Sequence, residues 1–423
     1  HEGLPLNRLF KEMAEYGGVQ RTVTNSHNYA RSGKKDPVIV IGFFLNEWED
    51  YLFEKGPDES LFINNFNLAP PWVKDGYFKS FINADHRLAM PILKLAVQER
   101  LTGKSVLFSE LFDTWNRCGG VGQQAAHGFA TFRQMVEDPD CTVFMTMSGV
   151  LTMAKLGGLV AYMIDQGWVQ AISATGALIC HGLVESVGLK HFKHNPAFSD
   201  AQLAENKYNR IGTTLEPETN LDHVEEIFRL VLRNEIKREG PVSPSQINFL
   251  IGKHLAKHFP SEVSILRSAF EKNIPVFIPA RDSELDNDQL IHNWKQRLSK
   301  QSEVVVNNEI DALRLVDMVV NAKKQGIFTL GGGVPRNWIQ NVMPLIEIMN
   351  VRLNLGFPER RFSYGCRICP DPVYLEHLSG CTFDEMKSWR KAALDGRFSE
   401  VKADYSINYP FYVAGLKEFH ESR

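Results

Sequence analysis

The chain alternates between short apolar runs and longer segments in which apolar residues recur every three or four positions. The short runs predict β-strands at residues 38–44, 141–147, 169–173, 275–278 and 326–330. Periodicity in the other segments predicts helices at residues 91–101, 123–135, 152–166, 309–323 and 335–349. Strands that alternate with helices favour a mostly parallel sheet with helices on both faces. We therefore predict an α/β fold with an open, Rossmann-like sheet.

Two parts of the chain differ in this pattern. The regular alternation begins near residue 89, so we predict that residues 1–88 form an N-terminal extension and residues 89–423 form one domain. Neither an internal repeat nor a low-complexity linker divides that domain.

Composition and charge narrow the class of protein. Of the 423 residues, 43% are apolar and 23% are charged, as in ordinary globular proteins. A net charge of -3 gives no electrostatic basis for binding nucleic acid or an anionic membrane, and no apolar run approaches the ~20 residues that span a bilayer. Six cysteines in a chain this long do not form a disulfide framework, so we expect free thiols and a cytoplasmic location. Cys366 and Cys369 have no second pair at zinc spacing, so no metal site is predicted.

Small residues follow three of the predicted strands, at 148–149, 174–176 and 331–333. In an open parallel sheet, ligands bind beyond the carboxyl ends of the strands, where helix N-termini supply amide donors. Each of these segments is also typical of a plain tight turn, and none matches the full GxGxxG fingerprint. Together they suggest a dinucleotide site. The acidic segment 279–288, which follows another strand, is either a solvated loop or a source of carboxylates for ribose hydroxyls or a cationic substrate.

Near the C-terminus, Thr382 and Glu385 form a capping-box pattern that predicts the start of a helix. We predict that this helix continues to Lys391, so that Glu385 and Trp389 share one face, and Lys387 and Lys391 share another. From this pattern alone, Lys391 is either a surface lysine in a helix C-terminal turn or an amine held for chemistry.

Four segments together resemble the deoxyhypusine synthase family. Residues 205–212 match its E-N-x-x-N-R-I-G segment, and residues 275–280 match its P-V-F-x-P-A strand. Residues 330–334 match its L-G-G-G-V loop, and residues 379–391 match its S-G-A-x-x-x-E-A-V-S-W-G-K motif in part. The segments occur in the family's order, and the likeness covers roughly residues 89–395.

The resemblance implies a reaction in which NAD takes a hydride from a polyamine such as spermidine and later returns it. Between these steps a lysine carries the aminoalkyl group as an imine, and Lys391 occupies the position of that lysine. Such a nucleophile must be neutral, so we expect burial against Trp389 and the like charges of Lys387 and Arg390 to lower the pKa of Lys391. The family also implies a homotetramer with active sites between paired subunits.

The resemblance also assigns residues to the two ligands. The residues expected to bind the substrate are Glu385, Trp389, Asp288, Asn337 and His181. The residues expected to bind NAD are Ser148, Gly149, Val150, Leu151, Thr152, Ala174, Thr175, Gly176, Asp282 and Gly332.

The chain departs from the family at several substrate positions. Ile179 and Cys180 replace a pair of glutamates that bind an amine, Asn337 replaces a histidine, and Arg390 replaces the glycine before the lysine. Because a buried ammonium without a partner is costly, we expect spermidine to be a poor donor. His181 is either a satisfied helix histidine or a replacement substrate contact. Two further arginines, Arg336 and Arg367, are either structural or bind a carboxylate.

The sequence thus favours an NAD-dependent enzyme that transfers an aminoalkyl group between small amines, with homospermidine-type synthesis as one example. One alternative is a deoxyhypusine synthase that modifies a lysine of a translation factor. The other is a non-catalytic protein that binds NAD or an amine.

Overall fold

The computed structural model describes residues 38–41, 60–64, 80–83, 92, 107–149, 151–236, 240–281 and 283–422. The chain divides into two compact units, one with residues 1–127 and 414–423 and the other with residues 128–413. The helix predicted at residues 91–101 lies outside the described residues, apart from Ile92. The boundary predicted between residues 88 and 89 stays a prediction.

In the first unit, three short strands form a parallel sheet in the order β1-β2-β3. These strands are β1 (Val38–Ile41), β2 (Ser60–Asn64) and β3 (Ser80–Asn83). The first of them confirms the predicted strand over Val38–Ile41, and residues 42–44 of that prediction lie outside the described residues. Helix α1 (Phe108–Asn116) follows in the chain.

In the second unit, six strands form a wholly parallel sheet in the order β12-β11-β10-β4-β5-β9. They are β4 (Cys141–Met147), β5 (Ala171–Ala174), β9 (Val276–Phe277), β10 (Lys324–Leu330), β11 (Phe362–Ile368) and β12 (Ala392–Val401). A small antiparallel sheet consists of β6 (Phe192–Lys193), β7 (Tyr208–Ile211) and β8 (Thr214–Pro217). The predicted α/β fold with an open parallel sheet is confirmed.

The remaining helices connect these strands. The first six are α2 (Val121–Glu137), α3 (Gly157–Asp165), α4 (Gly176–Ser186), α5 (Asp200–Glu205), α6 (Glu218–Asn234) and α7 (Pro244–His258). The next four are α8 (Ile265–Glu271), α9 (Glu284–Leu298), α10 (Asn308–Asn321) and α11 (Gly333–Gln340). The last three are α12 (Val342–Leu353), α13 (Phe383–Ser388) and α14 (Tyr405–Glu421).

Helices cover both faces of the six-stranded sheet, as the apolar strand runs require. On one face, helices α10 to α13 bury their apolar residues against strand residues such as Phe144, Ile327 and Phe362. On the other face, Phe132 of α2 stacks on Phe328 with ring centroids 4.3 Å apart. Because Ile327 and Phe328 are consecutive in β10, their side chains point to opposite faces. From Gln325 to Leu330, β10 is therefore buried on both faces.

The strand register brings the loops of interest to one edge of the sheet. Leu330 of β10 pairs with Met147 of β4 and with Ile368 of β11, and Met147 also pairs with Ala174 of β5. Parallel strands that end in register place the turns that follow them side by side. The three segments of small residues predicted from the sequence are therefore neighbours.

Two predicted helices have different bounds in the structure. The helix predicted from residue 152 begins only at Gly157, because turns occupy residues 151–155 and Lys155 has a left-handed φ of 64°. The helix predicted at residues 335–349 is two helices, α11 and α12, which meet at Asn341. The first correction places a loop of turns between β4 and α3.

We expect Gly365 in β11 to be required for the seating of α13. A Cβ at this position would lie 2.5 Å from the ring of Phe383, which is buried in α13. Gly365→Ala should therefore destabilise the protein by about 1 to 3 kcal/mol through overpacking, as measured by urea unfolding. Gly158→Ala is the control, since its Cβ would meet only ordinary contact at 3.7 Å. Equal stability of the two variants would contradict this account of the packing.

Candidate functional site

The turns after β4 and β10 are bonded directly to each other. The hydroxyl oxygen of Ser148 accepts a hydrogen bond from the amide of Gly332 at 2.9 Å, and the amide of Ser148 donates to the carbonyl of Leu330 at 3.1 Å. Gly331 has a φ of 83°, and a Cβ there would lie 2.3 Å from the Ser148 hydroxyl. The glycine is therefore needed for the close approach of the two turns.

The same turn leaves amide donors available at the start of α11. Its N-cap residue is Gly332, which has no side chain to cap the first helical turn. A Cβ on Gly333 would meet nothing within 4 Å, so the space next to this helix end is open. Free amides at a helix N-terminus suit a phosphate, so these residues fit the pyrophosphate of a dinucleotide.

The other residues assigned to NAD are in varied surroundings. Thr175 caps α4 by accepting from the amide of Leu178 at 3.4 Å, and Ala174 and Gly176 flank it at the end of β5. Leu151 and Thr152 are buried, and the Thr152 hydroxyl donates to the carbonyl of Leu178 at 3.0 Å. Gly149 lies at the turn itself, with a φ of 81°. Val150 and Asp282 lie outside the described residues.

Lys391 does not lie within a helix, so the prediction that α13 continues to it is wrong. The helix ends at Ser388, and Arg390 has a left-handed φ of 54°. The amide of Arg390 donates to the carbonyl of Lys387, and the amide of Lys391 donates to the carbonyl of Met386, both at 3.0 Å. This pair of bonds is a Schellman motif, whose left-handed residue is usually glycine. It explains the glycine in the family motif, and it means that Lys387 and Lys391 do not share a helix face.

The amine of Lys391 is enclosed by two of the residues that the resemblance selects. Lys391 is only 8% exposed, and its Nζ donates to Oδ1 of Asn337 at 3.2 Å. The same Nζ lies 5.6 Å from the centroid of the Trp389 ring, which is otherwise exposed to solvent. An amine in this position is fixed at one end by an amide oxygen and faces an aromatic ring.

Burial lowers the pKa of Lys391, and the charge of Arg336 lowers it further, while Cys381 and Glu385 act in the opposite direction. The predicted direction is confirmed, but the predicted like charges are wrong. Lys387 is paired with Asp384 at 2.8 Å, and Arg390 points to Glu347 at 3.6 Å.

Arg336 and Arg367 bind backbone rather than solvent. Each is 1% exposed. Arg336 donates to the carbonyl of Cys381 at 2.9 Å, and Arg367 donates to the same carbonyl at 2.5 Å and to that of Ser379 at 3.0 Å. Of the two alternatives, the structure favours the structural one, because both guanidinium groups hold the loop before α13.

His181 is buried in α4 and bonded to a buried carboxylate. Its Nδ1 lies 2.7 Å from Glu216, whose other oxygen lies 3.0 Å from Nε2 of His191. Burial alone would raise the pKa of Glu216, but the hydrogen bonds from the two histidines outweigh it and lower that pKa. These contacts favour the alternative in which His181 is a satisfied histidine.

Asp288, on α9, lies in an acidic environment. Burial, followed by the charges of Glu225, Glu284 and Asp222, raises the pKa of Asp288 to about 7. Cys180 lies at a position where the family has a glutamate, and its thiol is buried. Burial, followed by the charges of Glu284, Glu216 and Asp288, raises the pKa of this thiol. Carboxylates from other elements therefore surround the position where a carboxylate has been lost.

Sequence reasoning missed some of these groups. Glu216 lies in an element with no catalytic motif, and its partner His181 is distant in the chain. Cys381 could have been found, because it replaces the alanine of the family's S-G-A segment, and its thiol lies against Glu385. Glu385 itself is exposed, and its amide donates to Thr382 at 3.1 Å, which confirms Thr382 as the N-cap.

The fold and the site together define a parallel α/β protein in which a mostly buried lysine is bonded to the helix that follows a glycine-rich turn. Comparison with known proteins identifies the family. The deoxyhypusine synthase family model matches residues 110–416. The "Probable deoxyhypusine synthase 2" of Methanosarcina mazei is 28% identical over 313 residues, which cover 73% of this chain and 86% of that protein.

A protein of the same name from Archaeoglobus fulgidus is 27% identical over 301 residues, covering 71% of this chain and 95% of the relative. The crystal structure of a candidate deoxyhypusine synthase from Entamoeba histolytica aligns with a TM-score of 0.50 at 15% identity, covering 74% of this chain and 94% of that one. The chain belongs to the deoxyhypusine synthase family, and it is a transferase of alkyl groups. Within the described residues, every helix is too short or too polar to cross a membrane.

Arg390 should be replaceable by glycine with a gain in stability. A side chain in the left-handed region costs about 1 kcal/mol, whereas the exposed contact with Glu347 is worth less. Arg390→Gly should therefore raise the urea midpoint, and Arg390→Ala, which keeps a Cβ, should not. A lower midpoint for the glycine variant would show that the turn does not have the observed conformation.

The raised pKa of Asp288 predicts a pH-dependent stability. The folded-state pKa of about 7 exceeds the ordinary value of 3.8, so ionisation costs stability as the pH rises between these values. Asp288→Asn removes that cost. Its melting temperature, relative to wild type, should be higher at pH 8 than at pH 4. A constant difference over this range would contradict the assignment.

Proposed function

We propose that this protein is an NAD-dependent enzyme that transfers an aminoalkyl group between amines through an imine on Lys391. The observation that supports it most is the Lys391 amine, which is 8% exposed, bonded to Asn337, and lowered in pKa by burial and by Arg336. A surface lysine needs none of these features. A nucleophilic lysine needs the lowered pKa, because only the neutral amine attacks an imine.

The chain's residues fit NAD at the turns after β4 and β10. The open start of α11 would hold the pyrophosphate, and Ser148 fixes the turn by accepting the amide of Gly332. When bound, NAD would accept a hydride from the carbon next to the donor nitrogen and later return it. The turn also contacts the loop that leads to α13 and Lys391. A Cβ on Gly332 would lie 2.7 Å from the Cα of Ser379, so the two backbones are packed closely together.

Lys391 would then act by exchange of amines. Its neutral Nζ adds to the carbon of the oxidised donor, the bond from that carbon to the donor nitrogen breaks, and a free amine leaves. A second amine reverses these steps and takes the group from the lysine. Asn337 orients Nζ through its amide oxygen, and Trp389 offers an aromatic face to a cationic substrate.

The altered substrate positions favour a small amine or polyamine, as in homospermidine-type synthesis. Ile179 and Cys180 cannot pair with an ammonium group, whereas Asp288 and the acidic groups around it can. Spermidine in the pose typical of the family is thus a less favourable donor. Transfer to a lysine of a translation factor is the second candidate, and the family membership favours it. Assembly as a homotetramer and a cytoplasmic location remain predictions.

Trapping with borohydride tests the proposal. The protein is incubated with NAD and with spermidine, putrescine or homospermidine, reduced, digested and analysed by mass spectrometry. We expect one adduct, on Lys391, that requires both NAD and an amine. Lys391→Ala and Lys391→Arg should lose it entirely, since arginine stays protonated and forms no imine.

The matched control is Lys387→Ala, which removes a nearby exposed cation already paired with Asp384. It should still give the adduct. An adduct on another lysine would refute the role of Lys391. Binding of NAD by calorimetry without any adduct from any amine would favour the non-catalytic alternative.

A further inference from the structure

Arg336 contacts three parts of the segment that ends at Lys391. Its Nη1 donates to the carbonyl of Cys381 at 2.9 Å, its Nη2 lies 3.7 Å from the sulfur of Met386, and its guanidinium lies 5.5 Å from the centroid of Phe383. The side chain is 1% exposed, so these contacts are not shared with solvent. Arg336 therefore fixes both the loop before α13 and the helix itself.

Arg336 is connected to both the backbone amide and the side-chain amine of Lys391. The carbonyl of Met386 accepts the amide of Lys391 at 3.0 Å, so the residue that packs on Arg336 also anchors the lysine backbone. At the other end, Nζ of Lys391 donates to Asn337, which directly follows Arg336 in α11. One helix thus holds the lysine through its backbone turn and through its amine.

The charge around Arg336 is not balanced. Arg336 and Arg367 share the carbonyl of Cys381, and Glu400 lies 3.2 Å from Arg367. Burial, followed by the charge of Arg367, lowers the pKa of Arg336 to about 10. Two buried guanidinium groups with one nearby carboxylate are a costly arrangement.

The groups that face the Lys391 amine are Arg336, Cys381, Glu385 and Asn337. Among the charged ones, Arg336 is the group that favours the neutral amine, and Glu385 opposes it. A cost in stability beside a nucleophile is expected where the charge serves the reaction.

We propose that Arg336 is a positioning residue that fixes the turn carrying Lys391 and places the amine of Lys391 beside Asn337 for attack. This inference rests on the proposed function of Lys391 as a nucleophile. Arg367 shares the structural part of this role, because it holds the same carbonyl from β11, but its remaining charge is directed to Glu400.

Three variants separate the charge from the packing. Arg336→Met removes the charge and places an apolar chain beside Met386 and Phe383, while Arg367 still bonds the Cys381 carbonyl. Arg336→Lys keeps the charge on a shorter side chain. Lys387→Ala removes a different cation of α13, one that is paired with Asp384. Arg336→Gln, polar and uncharged, replaces the methionine variant if that variant does not fold by circular dichroism.

The measurement is the rate at which acetic anhydride labels Lys391 as a function of pH, followed by peptide mass spectrometry without NAD or amine. Only a neutral amine reacts, so the profile reports its protonation whether or not the enzyme transfers a group. In Arg336→Met the midpoint should move to higher pH and labelling at pH 8 should fall several-fold. Arg336→Lys and Lys387→Ala should stay close to wild type.

An unchanged midpoint in folded Arg336→Met, or an equal shift in Lys387→Ala, would overturn the inference. The borohydride experiment is independent of this result. If wild type gives no trapped adduct while the labelling profiles behave as expected, the proposed transfer fails but the action of Arg336 on the amine stands.

Discussion

The proposed function of the site depends on one physical requirement, that a lysine amine be held neutral and still inside a folded protein. A lysine that is free in water is protonated at neutral pH and samples many rotamers, so both charge and position must be controlled. In this chain, burial and Arg336 act on the charge, and the left-handed turn at Arg390 with the bond to Asn337 acts on the position. These controls come from α11 and from the turn after α13, which pack on the same face of the sheet.

The parallel sheet brings the parts of the site together. Ends of strands in register place the turns after β4 and β10 in contact through Ser148 and Gly332. The chain then returns along α13 to Lys391, whose carbonyl accepts the amide of Phe362 at the beginning of β11. Lys391 therefore starts from the opposite end of the strands, and only its side chain extends toward Asn337. The length of α13 and the glycine at position 365 set this path.

The sequence was sufficient for four of the six strands of the main sheet and for the turns, because apolar runs and small residues have a direct structural meaning. It missed β11 and β12, whose sequences FSYGCRI and AALDGRFSEV contain too many polar residues to form an apolar run. It was sufficient for the lysine only through resemblance. It failed at the end of α13, where helical periodicity continues to Lys391 although the backbone turns at Arg390, a residue whose type does not indicate a left-handed φ. The sequence also did not identify Arg336 as the charge that lowers the pKa of Lys391. The two residues are 55 positions apart in the sequence, and only the packing of the fold brings them together. Long-range electrostatics of this kind have no local signature.

The central claim is that Lys391 is neutral at a pH where ordinary lysines are charged. An NMR titration of protein with 13C-labelled lysine side chains, compared with Lys391→Ala, measures this directly. The account predicts a lysine resonance that titrates below the ordinary value of 10.5 and that disappears in the variant, whereas the resonance of Lys155, whose pKa burial also lowers, remains. If every lysine resonance titrates at the ordinary value, or if no low-titrating resonance disappears in Lys391→Ala, the amine of Lys391 is not the nucleophile described here.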